Sequence, residues 1–389
     1  MAAEVPDDIL HTICEDADLR ALALVCKSWS QIATHHLYQP GPDCSIDLEG
    51  HEKFLASVSN NDRLSKLVHS YRFGYLRMSG YATQLRLGPL INTALKAMEN
   101  LQVLCLHGET EPPATPGDVK FSAEHLLGGC SFPKLVTFSW TCGTGNKLIY
   151  PPNDREFLES FLKSHPTIRF FHGDSDFSGT LEQQRTVLPN VESIGGPLRF
   201  LEQFFTQRES DRPVKRLVWD MSTVNAETDL DTFFELLEST GFGSRLQTLE
   251  LLGRESSHPA KVHLPALQPT FANIETLVLG NVYLSDVLPS TIERFLNLKR
   301  LVVLYAMDFG DVRRSTLVDD YVPEILNWGT TVKEVFVCEG WSSSMRPRIE
   351  VEVFTKPEDG SDGISRKVLK TLHKGELPDY DWVTHRRMN

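Results

Sequence analysis

The sequence predicts an α/β fold in which parallel strands, each backed by a helix, stack as an irregular solenoid. Three observations carry this expectation. An apolar-x-x-apolar-x-apolar template recurs ten times, with successive starts 33, 34, 33, 23, 23, 32, 28, 24 and 34 residues apart. Stretches of helical apolar spacing lie between the copies. The second and third template positions are often polar, as in Gln247-Thr248, Glu275-Thr276, Lys299-Arg300 and Lys333-Glu334, so one face of each strand is wet. A doubly wound domain also alternates strand and helix. Its sheets seldom reach ten strands, however, and its strands read as continuous apolar runs. A unit of about 20–35 residues cannot bury its apolar face alone, so neighbours must stack.

Taken in chain order, residues 1–40 hold two short helical patterns. Pro6 suits a first helical turn, and Asp7 and Asp8 suit its positive end. Ile9, Leu10 and Ile13 follow at i, i+1 and i+4, and a second pattern places Leu19, Leu22, Val25, Trp29 and Ile32 on one side. Such a module buries too little surface to stand alone. Residues 41–344 carry the copies, which begin at Val68, Leu101, Leu135, Val214, Leu246, Ile274, Leu298 and Val332, with weaker ones at Ile168 and Val191. Pro or Asn often precedes a copy, as at Asn100, Pro133, Asn273 and Asn297. Helices are expected over Asp154–Lys163, Leu230–Leu237, Ile292–Leu296 and Val322–Trp328, the first presenting Phe157, Leu158, Phe161 and Leu162. Residues 345–389 follow as a cap or tail, with one further strand pattern in Ile349, Val351 and Val353.

Composition narrows the function. The chain has 389 residues, 41% hydrophobic and 23% charged, which is ordinary for a globular protein and excludes a wholly disordered one. A net charge of −13 opposes phosphate backbones and anionic lipid, so neither nucleic acid nor membrane is an expected partner. The charge is uneven: residues 1–45 carry seven acids and two bases, residues 366–389 six bases and three acids. Seven cysteines with no C-x-x-C pair read as free thiols in a reducing compartment. The acidic start is no secretory signal, and no apolar run approaches a bilayer span. The expectation is an intracellular protein, cytoplasmic or nuclear.

Two resemblances follow from these residues. The strings LQTLEL, IETLVL and LKRLVV look like the strand segment of leucine-rich repeats, over roughly residues 45–340. That family's pattern has Asn or Cys three residues past the last strand leucine, where its side chains form a ladder; Glu109, Arg254, Val282 and Ala306 stand there instead. The amino-terminal stretch resembles the F-box. Leu24-Val25-Cys26-Lys27-Ser28-Trp29 matches the family's close, and Val5-Pro6 matches its opening conservatively. The resemblance implies a substrate-recognition subunit of a Skp–cullin–F-box ubiquitin ligase. Its F-box, residues 1–40, would hold the Skp adaptor and through it the cullin, and its repeat domain a target protein. By match to the motif, Val5, Pro6, Ile9, Leu10, Leu19, Leu22, Leu24, Val25 and Trp29 are the implied adaptor contacts, with Leu22 and Val25 as candidates for the module's own core. The alternative is a structural scaffold outside any ligase, whose amino-terminal helices cap the solenoid.

No catalytic constellation is legible. The sequence has no G-x-S-x-G elbow, P-loop, dinucleotide fingerprint or H-E-x-x-H. Cys130 and Cys142, eleven residues apart without a second pair, fit small buried hydrophobes better than zinc ligands. Asp174, Asp176, Ser178 and Gly179 imitate the start of a calcium loop, but Arg185 stands where a bidentate Glu is needed. Glu156 and Glu159 read as a solvated helix face. The expectation is a binding protein, not an enzyme, without cofactor. If template positions one, four and six point inward, positions three, five and seven line the opposite sheet face. Arg216, Val278, Arg300, Val302 and Phe336 lie there, an apolar patch with arginines, and are the candidate target-binding residues. The 345–389 tail is the rival occupant of that patch, and a shifted register is a third reading.

Overall fold

The computed structural model describes residues 27–39, 48–74, 81–108, 122–142, 152–173, 187–205, 212–220, 226–252, 271–280, 295–305, 322–323, 325–326, 331–339, 348–356, 364–373, 380–381 and 386–387. The chain is mixed α/β with mostly parallel strands, and it divides into two units, Met1–Ile168 with Asn389, and Arg169–Met388. The division falls inside the stretch 41–344.

In the first unit, helix α1 (Lys27–Tyr38) is followed by α2 (Leu48–Ser59), α3 (Asp62–Ser65) and strand β1 (Ser70–Gly74). Helix α2 buries His51, Phe54, Leu55 and Val58, the i, i+3, i+4, i+7 face of an amphipathic helix. Asn61 caps α3 by accepting the N–H groups of Arg63 and Leu64. Helix α4 (Tyr81–Ala97) precedes β2 (Val103–Gly108), α5 (Ala123–Leu127) precedes β3 (Thr137–Cys142), and α6 (Pro152–Ser164) follows. Strands β1, β2 and β3 run parallel, with Tyr71, Leu104 and Phe138 side by side, as are Phe73, Leu106 and Trp140.

The second unit lays β4 (Phe170–His172), β5 (Ser193–Gly196), β6 (Arg216–Asp220), β7 (Thr248–Leu252), β8 (Thr276–Gly280), β9 (Arg300–Tyr305) and β10 (Glu334–Glu339) parallel in chain order. Helices α7 (Leu198–Phe205) and α8 (Ala226–Thr240) belong to this unit. One row of paired residues runs Phe171, Ile194, Leu217, Leu249, Leu277, Leu301, Val335. These are the fourth template positions. Every apolar residue at positions one, four and six of the ten copies is buried. The two weak copies have a local cause: a Cβ on Gly173 would meet the Phe200 ring at 3.0 Å, and one on Gly196 would meet it at 2.6 Å. Phe200 of α7 fills the space that a sixth-position side chain occupies elsewhere.

Successive strands are joined by a shared backbone device. The carbonyl at template position two accepts two N–H groups, from positions two and three of the next copy. His69 O accepts from Gln102 and Val103, Gln102 O from Val136 and Thr137, and Lys299 O from Lys333 and Glu334, at 2.8–3.1 Å. Arg169, Glu192, Lys215, Gln247 and Glu275 do the same in the second unit. Polar side chains at this position are tolerated because only the carbonyl is needed.

An asparagine ladder is also present, ahead of the strands rather than behind them. Asn100, Asn273 and Asn297 each stand one residue before a copy and donate Nδ2 to the carbonyl two residues ahead of the preceding copy: Lys66, Ser244 and Ala272 respectively. Thr167, at the same place, donates to Leu135 O. Glu109, Arg254, Val282 and Ala306 lie outside the described residues.

After β10 the direction changes. β11 (Arg348–Thr355) pairs antiparallel with β10, and β12 (Ser365–His373) antiparallel with β11. Within 345–389, β11 and β12 therefore extend the sheet sideways, two strands where one was expected. A small pair, β13 (Tyr380–Asp381) and β14 (Arg386–Arg387), is separate from it.

Candidate functional site

Template positions three, five and seven line one face of the second unit's sheet, as alternation requires. Towards β10 it is apolar: Val278, Val302, Leu304, Phe336, Cys338, Val351 and Val353 form one buried cluster, with Leu252 packed against it. Phe336 pairs with Val353 and Cys338 with Val351, so β11 continues the rows that β8, β9 and β10 begin. Burial drives the Cys338 thiol far above its ordinary range.

This overturns the expected exposure of the patch. Val278, Val302 and Phe336 are each fully buried. Alternation correctly assigns the side of the sheet but carries no information on whether that side is covered. Arg216 and Arg300 are also not free. Arg216 is buried, and its Nε donates to Glu250 Oε1 on the neighbouring strand at 2.6 Å, with the two side chains 10% and 3% exposed. Half-buried Arg300 donates from Nε to Glu334 Oε2 at 2.5 Å. The sheet tolerates these charges because each guanidinium meets a carboxylate 34 residues further along the chain.

Towards β4 the same face is polar and tight. A Cβ on Gly195 would sit 2.4 Å from His172 Nδ1, so the ring lies across the glycine. Burial, with the charge of Arg216 adding to it, lowers the His172 pKa to about 4. This imidazole is neutral at physiological pH. In the first unit the corresponding fifth positions bring Arg72 Nη1 to Cys105 Sγ at 3.6 Å, and burial raises the thiol's pKa.

Among the amino-terminal residues, Val5, Pro6, Ile9, Leu10, Leu19, Leu22, Leu24 and Val25 lie outside the described residues. Trp29 is half-buried on α1, and Ile32 and Ala33 of that helix are buried. The end of α1 is tied to the first strand. Gln39 O accepts from His69 and Ser70, both at 3.1 Å, and so occupies the place that a position-two carbonyl holds between later copies. Tyr38 stacks on Phe54 and Phe54 on Tyr71, with centroids 5.6 and 6.5 Å apart. His51 Nε2 and the Tyr71 hydroxyl are 2.8 Å apart.

Other residues singled out from sequence behave as follows. Glu159 is buried and paired with Lys163 at 2.7 Å, while Glu156 is exposed, so the pair does not form one solvated face. Cys130 is half-buried, its thiol pushed up to about 11 by burial; the Cys142 side chain and the 174–186 segment are outside the described residues. Among the described residues no three His, Cys, Asp or Glu side chains gather where a metal ion could be held. None of the described helices is long and apolar enough to cross a membrane. Sequence reasoning missed the role of Glu250, although its position beside the Arg216 strand followed from the template. It also missed the Asn ladder, whose members were visible as residues preceding each copy. Comparison with known proteins finds no matching family model and no matching curated protein.

Proposed function

We propose that this protein is the substrate-recognition subunit of a Skp–cullin–F-box ubiquitin ligase, with residues 1–40 as F-box and the stacked strands as a leucine-rich-repeat-like solenoid that carries a target protein. The observation behind the reading is the continuity of motif and sheet. Lys27–Trp29, the end of the motif, lie within α1, and the carbonyl that follows α1, Gln39 O, takes the first place in the ladder of shared carbonyls. An adaptor gripping the motif would be coupled to the repeats through a short, hydrogen-bonded joint. The role is binding rather than catalysis.

Co-purification of the full chain with a Skp adaptor tests the reading. The wild type retains adaptor, and Leu24→Glu loses it while keeping the wild-type melting temperature. Retention by the variant would refute the assigned contact. A second reading has its own observation: Ile32, Ala33 and the Gln39 carbonyl already belong to the fold, as a capping helix requires. Failure of the wild-type chain to bind adaptor would decide for that scaffold.

A further inference from the structure

The second unit ends on a strand edge whose chemistry differs from the rest of the chain. Among the described residues nothing pairs with the outer side of β12, and β13 pairs with β14 instead. An open strand edge presents unpaired N–H and C=O groups in register for another extended chain. Val368 on this strand is 53% exposed, one of two large hydrophobic side chains exposed to that degree among the described residues. The apolar row Val278, Val302, Phe336, Val353 ends at β12 in exposed Lys367.

Two more exposed lysines stand at the same end of the sheet. Lys333 precedes β10, Lys356 follows β11, and their backbones are joined by a 3.3 Å hydrogen bond. Lys333, Lys356 and Lys367 are in no ion pair among the described residues, in contrast to Lys299, which is held by Glu275 at 2.7 Å. The net charge of the chain is −13, so three exposed lysines without an ion pair among the described residues stand against the overall balance.

We propose that the outer edge of β12 is a docking site for an acidic, extended segment of a partner protein, which adds to the sheet as a further strand. Main-chain hydrogen bonds supply the pairing, Val368 an apolar contact, and the lysines the charge selection. The same charges disfavour self-association through this edge, where a second copy would present like charge to like charge. The site rests on the second unit alone, and it stands whether or not residues 1–40 hold an adaptor.

The test is fluorescence anisotropy with the full chain, free of adaptor, and a labelled eight-residue peptide alternating Val and Glu. The peptide binds, its Val–Lys counterpart does not, and Lys333→Glu with Lys367→Glu weakens binding at least about tenfold at low salt. Methylating alternate backbone nitrogens of the peptide abolishes binding, because strand addition needs those donors. Undiminished binding of the methylated peptide would mean charge capture alone and would overturn the proposal. So would equal binding of the lysine peptide, no response to the double charge reversal, or no binding by the wild type. If the peptide binds only after Glu376, Asp379 and Asp381 are neutralised, or only after Glu358, Asp359 and Asp362 are, the occupant is the chain's own acidic segment and not a partner.

Discussion

Glu250→Ala is the most informative single perturbation of the sheet. The Glu250 side chain is 3% exposed, and its partner Arg216 is 10% exposed at 2.6 Å. Two unit charges about 4 Å apart attract by about 4 kcal/mol at an effective dielectric of about 20, against a desolvation cost of similar size. The net worth of the pair is therefore small, but removing one member leaves a buried guanidinium, which costs about 3–5 kcal/mol. Replacing both, as Arg216→Met with Glu250→Leu, recovers most of that loss. With two units, whole-chain melting need not be two-state, so native-state hydrogen exchange is the appropriate assay. Protection should fall across β6, β7 and β8 in Glu250→Ala and return in the double variant, giving a coupling energy above about 1 kcal/mol. A single-variant loss below about 1 kcal/mol would mean that Arg216 is satisfied without Glu250, and would refute the pair as the main support of the buried charge.

Two further predictions follow from burial. Phe336→Asp places a carboxylate in a cluster with no exposed surface at that position, and should lower second-unit stability by about 4 kcal/mol or more by urea denaturation; an unchanged midpoint would restore the exposed-patch reading. Acid should weaken both units. Burial lowers the pKa of His51 in the first unit from 6.5 to about 4, as burial and Arg216 do for His172 in the second. Because the unfolded chain binds these protons first, stability is full above 6.5 and falls as pH drops towards about 4, by about 2–3 kcal/mol for the fully buried His51. His51→Gln should flatten the first unit's share of that slope, and an unaltered slope would contradict it.

The sequence by itself determined the strand register. The apolar template identifies which residue of each copy points into the core, because alternation along a strand is a local property, and Leu249, Leu277 and Leu301 stand side by side as its numbering requires. The helices α6 and α8 were legible for the same reason, from apolar spacing within a dozen residues. Whether Phe336 meets solvent was not legible, since a strand's pattern names a side and not what lies over it. The charges at Arg216 and Arg300 looked like surface because their carboxylates are 34 residues away, a distance that only stacking closes. Residues 345–389 displayed one strand pattern, yet β11 and β12 both joined the sheet, because β10 offered β11 an open edge and β11 in turn offered one to β12. Tertiary structure alone decided these points, since each depends on a partner that local periodicity does not contain.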